Sequence, residues 1–172
     1  MTTSASPQVA VPADHSDREV SITRVFDAPR ELVFQAWTDP AMLARWFAPH
    51  GCSIEFAQAE PRPGGRFHSC IRTPDGQECW CKGDYLEVTP PERLIFTMIV
   101  SNAQGESLSP LEAGMDADWP QETRLTVTFV EQDGRTTLTL QQTVSEALAK
   151  RTGAHPSWLQ MLDRLAESLA GQ

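Results

Sequence analysis

Three kinds of segment are missing from this sequence of 172 residues, and each absence excludes a class of protein. No apolar run approaches the roughly 20 residues that a membrane-spanning helix needs. The first residues, MTTSASPQVAVPADHSD, lack the basic segment and the apolar core of a secretion signal. No Lys/Arg cluster is present either. We therefore expect a cytoplasmic protein with no membrane partner.

Positive charge is scarce throughout. Lysine and arginine together number 14, against 23 aspartate and glutamate residues, which gives a formal net charge of −9. Such a chain repels phosphate backbones and anionic membrane surfaces, because both carry the same sign of charge. We therefore expect no nucleic-acid partner.

Recognisable catalytic motifs are also missing. The sequence has no Ser-His-Asp order, no HExxH motif and no paired-carboxylate motif. The glycine-rich stretch 62–65 lacks the Lys-Ser/Thr of a phosphate-binding loop, so it reads as a turn between strands. The best candidates for acid–base catalysis at strand positions are Glu60, Arg66, His68 and Asp84. For all four, a structural or solvated role is favoured. We expect no catalytic residues and no cofactor.

Residues 1–17 are rich in Ser, Thr, Pro and Ala and have no periodic apolar pattern. This composition predicts a disordered tail. After residue 17 the sequence has no internal repeat and no further change in amino-acid composition. The remainder, 18–172, is therefore predicted to be one domain.

Alternating apolar residues predict a strand at 19–27. Two short helices are predicted to follow, with a proline near the start of each, at positions 29 and 40. Later alternation predicts six more strands, which lie at 54–59, 66–72, 78–88, 93–100, near 124–129 and at 137–144. The stretch 101–121 is predicted to be a long loop, either a lid or a mobile segment. Apolar residues at steps of four, three and four predict a helix at 157–170.

These elements predict an α+β fold. About seven antiparallel strands must bury one face, and the C-terminal helix is the only long amphipathic element that can cover it. We therefore expect a helix-grip fold, a curved sheet wrapped around that helix, with two short helices after the first strand. This packing leaves a gap near the short helices, where we expect a cavity of roughly 300 Å³ or more.

Several segments match a known family in the family's order. They are ITRVFDAP (22–29), VFQAWTDP (33–40), LARWFAP (43–49), RPGGRF (62–67), GDYLEV (83–88), PERL (91–94) and WLQMLDRL (158–165). The chain resembles the START-like, birch-pollen-allergen-related superfamily (SRPBCC). Within it, the chain is similar to the group named for the C-terminal domain of the heat-shock-protein-90 ATPase activator. The resemblance implies the helix-grip fold and, more generally, binding of lipids, hormones or polyketides; a few members catalyse aromatic cyclisation.

The cysteines and one histidine are the most distinctive candidates for metal binding or disulfide formation. The four cysteines are Cys52, Cys70, Cys79 and Cys81. If Asp75 and Gly76 form a two-residue hairpin loop, Cys70 lies opposite Cys81, and both share a sheet face with His68 and Cys79. A zinc site or a Cys70–Cys81 disulfide are then alternatives to plain thiols. Strand neighbours about 6.6 Å apart suit a zinc ion poorly, since zinc–sulfur bonds are about 2.3 Å long. We expect free thiols and no metal.

Five tryptophans supply large apolar surfaces for a core or a ligand cavity. The candidate lining residues are Trp37, Trp46, Phe47, Phe56, Phe67, His68, Trp80, Phe96, Met98, Trp158 and Leu162. We expect a protein that binds a small hydrophobic molecule, either lipid, aromatic or polyketide-like, as a monomer or homodimer. The alternatives are a polyketide cyclase- or dehydratase-like enzyme and a chaperone-associated interaction module. A deep cavity favours ligand binding or catalysis, whereas a filled cavity with an exposed apolar patch favours a protein partner.

Overall fold

The computed structural model describes residues 18–171, so the predicted disordered tail at 1–17 lies outside the described residues. The strands are β1 (Glu19–Phe26), β2 (Ser53–Ala59), β3 (Arg66–Arg72), β4 (Glu78–Thr89), β5 (Arg93–Ser101), β6 (Glu122–Gln132) and β7 (Arg135–Ser145). The helices are α1 (Arg30–Thr38), α2 (Pro40–Trp46), α3 (Glu146–Thr152) and α4 (Ala154–Ala170). None of these helices is both long and apolar enough to cross a membrane.

The strands form one antiparallel sheet in the order β1-β7-β6-β5-β4-β3-β2. Its curved inner face carries the buried side chains, as the alternation predicts. On β6, for example, Leu125, Val127 and Phe129 are buried, whereas Thr126 and Thr128 between them are half-exposed. The predicted helix-grip fold is confirmed, with seven strands, a long C-terminal helix and two short helices after the first strand.

Helix α4 covers the inner face of the sheet. Its buried residues are Trp158, Met161, Leu162, Leu165 and Leu169. The helix begins at Ala154, earlier than predicted, because Gly153 in the left-handed conformation (φ 88°) separates it from α3. The sequence pattern did not predict α3. This seven-residue helix buries only Ala149, so it has no apolar stripe to detect.

The predicted register of the β3–β4 hairpin is wrong by one residue. Thr73 and Gln77 close a three-residue loop, in which Gly76 adopts φ 88°. A three-residue loop with a final left-handed glycine is a common hairpin solution, and it shifts the pairing relative to a two-residue loop. Cys70 therefore lies opposite Trp80, and Ser69 opposite Cys81.

This shift separates the predicted cysteine cluster. A one-residue change of register moves side chains to the other face of a sheet. Cys70 and His68 now share the outer face, whereas Cys79 and Cys81 share the inner face with Phe67. The expectation that all four side chains lie on one face is wrong. All four cysteines of the chain are unpaired, and no three His, Cys, Asp or Glu side chains of residues 18–171 gather closely enough to hold a metal ion.

The predicted long loop is an ordered connection at 102–121. A bridge between Ser101 and Ser107 folds its first part back on β5. Farther on, Arg151 of α3 forms ion pairs with Asp116 and Asp118 at 3.3 and 3.2 Å. The connection is thus attached both to the end of β5 and to α3.

Candidate functional site: an aromatic crevice

A narrow crevice lies between the inner face of the sheet and the helices α1 and α2. Its lining is apolar and aromatic: Trp37, Leu43, Phe47, Phe56, Phe67, Tyr85, Leu94 and Phe96. The volume is about 20 Å³, which is room for one water-sized molecule. The expected cavity of roughly 300 Å³ is therefore not open in this structure.

Aromatic packing explains why the space is so small. Trp37 is 1% exposed and lies at the centre of a cluster of rings. Its ring centroid is 4.7 Å from that of Trp46, 6.0 Å from that of Phe47 and 6.4 Å from that of Trp158. Edge-to-face and stacked contacts at these distances are the favoured aromatic geometries. The tryptophans therefore occupy most of the gap that the fold would otherwise leave.

The indole nitrogen of Trp37 is the exception in this cluster. It is buried and has no hydrogen-bond partner among the described residues. By contrast, Trp46 donates its indole N–H to the Ala36 carbonyl oxygen at 3.0 Å. A buried donor without an acceptor costs about 1–3 kcal/mol. A residue that lines the crevice thus carries an unused hydrogen-bond donor.

Tyr85, another lining residue, carries a hydroxyl group. The residue is 5% exposed, and burial raises its pKa to about 12. Desolvation disfavours the charged phenolate, so the hydroxyl stays protonated at neutral pH. No charged side chain of residues 18–171 lines the crevice. The site therefore offers apolar contact and neutral hydrogen-bonding groups.

A buried polar network fixes the neighbouring indole of Trp158. Its N–H donates to Gln142 Oε1 at 2.9 Å, and Gln142 Nε2 donates to Thr123 Oγ1 at 3.0 Å. Gln142 is 3% and Thr123 2% exposed. The sequence pattern did not predict this network. The feature that could have indicated it is Gln142, a polar residue that shares the buried face of β7 with Leu140 and Val144.

Five of the eleven predicted lining residues line the crevice, and four more lie in or against the adjoining core. Those that line it are Trp37, Phe47, Phe56, Phe67 and Phe96. Trp46, Trp158 and Leu162 are buried in the adjoining core, and Met98 packs against that core without lining the crevice. The sequence analysis missed three lining residues, Leu43, Tyr85 and Leu94. Strand alternation could have found Leu94, which shares its parity with Phe96.

The structure separates His68 and Trp80 from the other predicted lining residues. Both lie on the outer face of the sheet, where their ring centroids are 4.9 Å apart. The incorrect hairpin register places Trp80 on the same face as Phe67. His68 follows Phe67 directly in β3, so strand alternation puts these two side chains on opposite faces whatever the register. Neither side chain lines the crevice.

The four catalytic candidates also lie away from the crevice. His68 Nε2 donates to the Asn102 carbonyl oxygen at 3.0 Å, and Arg66 pairs with Asp84 at 3.4 Å, both on the outer face. Glu60 follows β2 and accepts a hydrogen bond from Gln58, which lowers the pKa of the carboxyl group. These contacts support the structural roles that the sequence favours.

Arg164 of α4 attaches α2 to the rest of the core. Its guanidinium donates to four backbone carbonyl oxygens at distances from 2.6 to 3.3 Å. They belong to Arg45, Ala48, Pro49 and Cys52. Helix α2 supplies Leu43 to the crevice, and Phe47 caps its C-terminal end. This one side chain therefore positions one wall of the crevice.

The fold and its interior crevice define a helix-grip domain, a ligand-binding class of architecture in general. The chain belongs to the family of Activator of Hsp90 ATPase homolog 1-like proteins, whose sequence profile matches residues 27–170. No curated protein matches the chain at a significant level.

Solved structures agree with this assignment. A crystal structure from Chromobacterium violaceum is 26% identical, with a TM-score of 0.70 over 86% of this chain and 94% of that one. A solution structure from Staphylococcus epidermidis is 25% identical, with a TM-score of 0.73 over 89% and 90% of the two chains. The AHSA1 protein of Silicibacter pomeroyi, 20% identical, has a TM-score of 0.71 over 89% and 98%, and this likeness shows the fold alone.

Proposed function

We propose that this cytoplasmic protein binds a small hydrophobic molecule in the aromatic crevice and does not transform it. The observation that carries the proposal is the aromatic lining of the crevice together with the buried indole N–H of its lining residue Trp37, which has no acceptor among the described residues. A ligand with one acceptor atom would satisfy this donor and recover the cost of leaving it unpaired. Lipids, aromatic compounds and polyketide-like compounds with a carbonyl or hydroxyl oxygen have this chemistry.

Binding requires the crevice to widen, since about 20 Å³ cannot hold such a molecule. Helix α2 is the wall best suited to move. It has seven residues, and no strand of the sheet depends on it for hydrogen bonds. Phe56, another lining residue, is half-buried on β2, an edge strand whose pairing is irregular between Phe56 and Gln58. Helix α2 and this edge strand can therefore shift while the central strands stay paired.

The test is a panel of fatty acids, sterols, flavonoids and polyketides, read by melting temperature and tryptophan fluorescence. A ligand that prefers the folded state raises the melting temperature by mass action. Binding next to Trp37 should also quench its emission. We expect at least one compound class to give both effects with saturation.

Two matched variants locate the binding site. Leu43→Phe adds volume to a lining residue, whereas Met42→Phe adds volume to a buried neighbour on the same helix that does not line the crevice. Each substitution costs about 1–3 kcal/mol through overpacking. Leu43→Phe should abolish the ligand-induced shift, and Met42→Phe should retain it. Equal binding by both variants, or no binding by the wild type, would refute the proposal.

A protein-interaction module is the second candidate, and the small size of the crevice favours it. The outer face of the sheet also exposes apolar side chains: Val25 and Val130 are 48% and 61% exposed, and both lie opposite Thr137 on β7. An exposed apolar patch beside a filled interior suits a protein partner. The cyclase-like alternative has less support, because none of its four acid–base candidates lines the crevice.

A further inference from the structure

A second recess lies on the outer face of the sheet, on the side opposite the aromatic crevice. This outer groove has a volume of about 370 Å³, within the usual range for small-molecule sites. Strands β3 and β4 form its floor, and the first turn of the 102–121 connection forms one wall. Its polar side chains are Gln58, Arg66, His68, Lys82, Asp84 and Gln104.

The wall is held in place by side chains of the groove itself. His68 Nε2 donates to the Asn102 carbonyl oxygen at 3.0 Å, and Lys82 Nζ donates to the Gly105 carbonyl oxygen at 2.8 Å. Asn102 Oδ1 accepts from the backbone N–H groups of Gln104 and Glu106 at 3.0 and 2.9 Å, which fixes the shape of the turn. The groove is therefore a built feature of the structure.

Its charges are unusual for so acidic a protein. Lys82 is half-buried, and its partner is a neutral carbonyl oxygen, with no carboxylate paired to it among the described residues. Arg66 pairs with Asp84 at a distance of 3.4 Å between Nε and Oδ1. An ammonium carries three donors, and a guanidinium carries five. Both cations thus keep donor capacity at the groove.

We infer that the outer groove binds a small molecule through an oxyanion, a carboxylate or a phosphate. Lys82 and Arg66 supply the positive charge, and the Gln104 amide supplies a neutral donor. Charge-assisted hydrogen bonds from such groups are stronger than neutral ones. The inference is independent of the hydrophobic ligand, because the two sites lie on opposite faces of the sheet.

The test is an NMR titration of the full chain with inorganic phosphate and, separately, with succinate. Backbone amide signals of Gly105 and Gln104 should shift with saturation for at least one of the two anions. Preference for one probe identifies which oxyanion the groove recognises. Shifts that grow linearly without saturation for both probes would overturn the inference.

Variants assign the effect to the groove. Lys82→Met should weaken binding about tenfold or more, because it removes one charge-assisted hydrogen bond. Lys82→Arg keeps the charge and should retain most of the affinity. Arg66→Gln, at a side chain 74% exposed, provides a second test that does not disturb folding. Arg124→Gln, at an exposed arginine of β6 outside the groove, is the control and should bind as the wild type does. Unchanged binding in both Lys82→Met and Arg66→Gln would also overturn the inference.

Discussion

Leu162 shows at the scale of one residue how α4 closes the core. It is fully buried among the apolar side chains that the sheet and helix share, whereas Leu159 on the same helix is 42% exposed. Leu162→Ala should lower the free energy of unfolding by about 2–5 kcal/mol, as buried leucine truncations do. Urea denaturation measures this loss. Leu159→Ala is the matched control and should stay within about 0.5 kcal/mol; a similarly small loss at Leu162 would contradict the packing.

Tyr85 makes the stability of the fold depend on alkaline pH. A tyrosine in the unfolded chain ionises near pH 10, whereas burial raises the pKa of Tyr85 to about 12. Between these values the unfolded state binds fewer protons than the folded state. The free energy of unfolding should therefore fall as pH rises, by about 1.4 kcal/mol per pH unit, with the loss beginning near pH 10.

The chain has a single tyrosine, so tyrosinate absorbance reports this one group. Burial likewise raises the pKa of Cys81 to about 12, which adds a loss of the same sign that begins nearer pH 9. Tyr85→Phe should remove the tyrosine contribution and leave that of Cys81. A folded protein that forms tyrosinate near pH 10 would contradict the buried position of the ring.

At the scale of the element, Arg164 is expected to control how often α2 opens. Arg164→Met keeps the apolar stem but removes the hydrogen bonds to the four carbonyl oxygens after and within α2. Hydrogen bonds to charged groups contribute about 1.5–3 kcal/mol each, so amide exchange in α2 should accelerate by at least about tenfold. Hydrogen exchange read by mass spectrometry or NMR measures this. Amides of β6 and β7 should be unaffected.

Arg151→Met is the matched comparison. It also removes an arginine that bridges elements, but its partners Asp116 and Asp118 belong to the 102–121 connection. Exchange should then rise in that connection and not in α2, and only slightly, because exposed ion pairs contribute about 0–1 kcal/mol. If both variants accelerated exchange in α2 alike, Arg164 would have no special role in holding the crevice wall.

The elements also show what the sequence could and could not predict. The sheet and its long helix are predictable from the strict alternation on β6 and β7 and from the apolar stripe of α4. Burial of one face of an element gives its apolar residues a regular spacing in the sequence. The register of the β3–β4 hairpin depends instead on one left-handed residue, Gly76, which a sequence pattern cannot distinguish from a two-residue turn. Helix α3 was missed because it buries a single residue.

The site was harder to predict than the fold, for a related reason. The five lining residues that were predicted are large aromatic side chains, which are natural candidates to line an apolar space. The register error placed Trp80 on the inner face with Phe67, whereas His68 follows Phe67 directly, and strand alternation excludes it from that face whatever the register. The volume of the crevice depends on how Trp37, Trp46 and Trp158 pack against one another, and the identity of the residues does not specify those ring positions.

For the whole molecule, the account predicts one protein with two recesses on opposite faces of a single sheet. The inner crevice is apolar and nearly closed, and the outer groove is polar and open. Each is lined by strands β3 and β4, since successive residues of a strand point to opposite faces. Of the described residues only Phe67 lines both recesses, so occupation of one should leave the other lining residues free to bind.

The central claim is that the crevice holds a hydrophobic ligand, and native mass spectrometry of protein purified from its own source tests it most directly. We predict a population of the folded wild type that carries one small apolar molecule per chain, released on denaturation. Leu43→Phe purified in the same way should carry none, and Met42→Phe should carry the same molecule. Wild-type protein that retains only its own mass, and that also fails to respond to the ligand panel, would contradict the account.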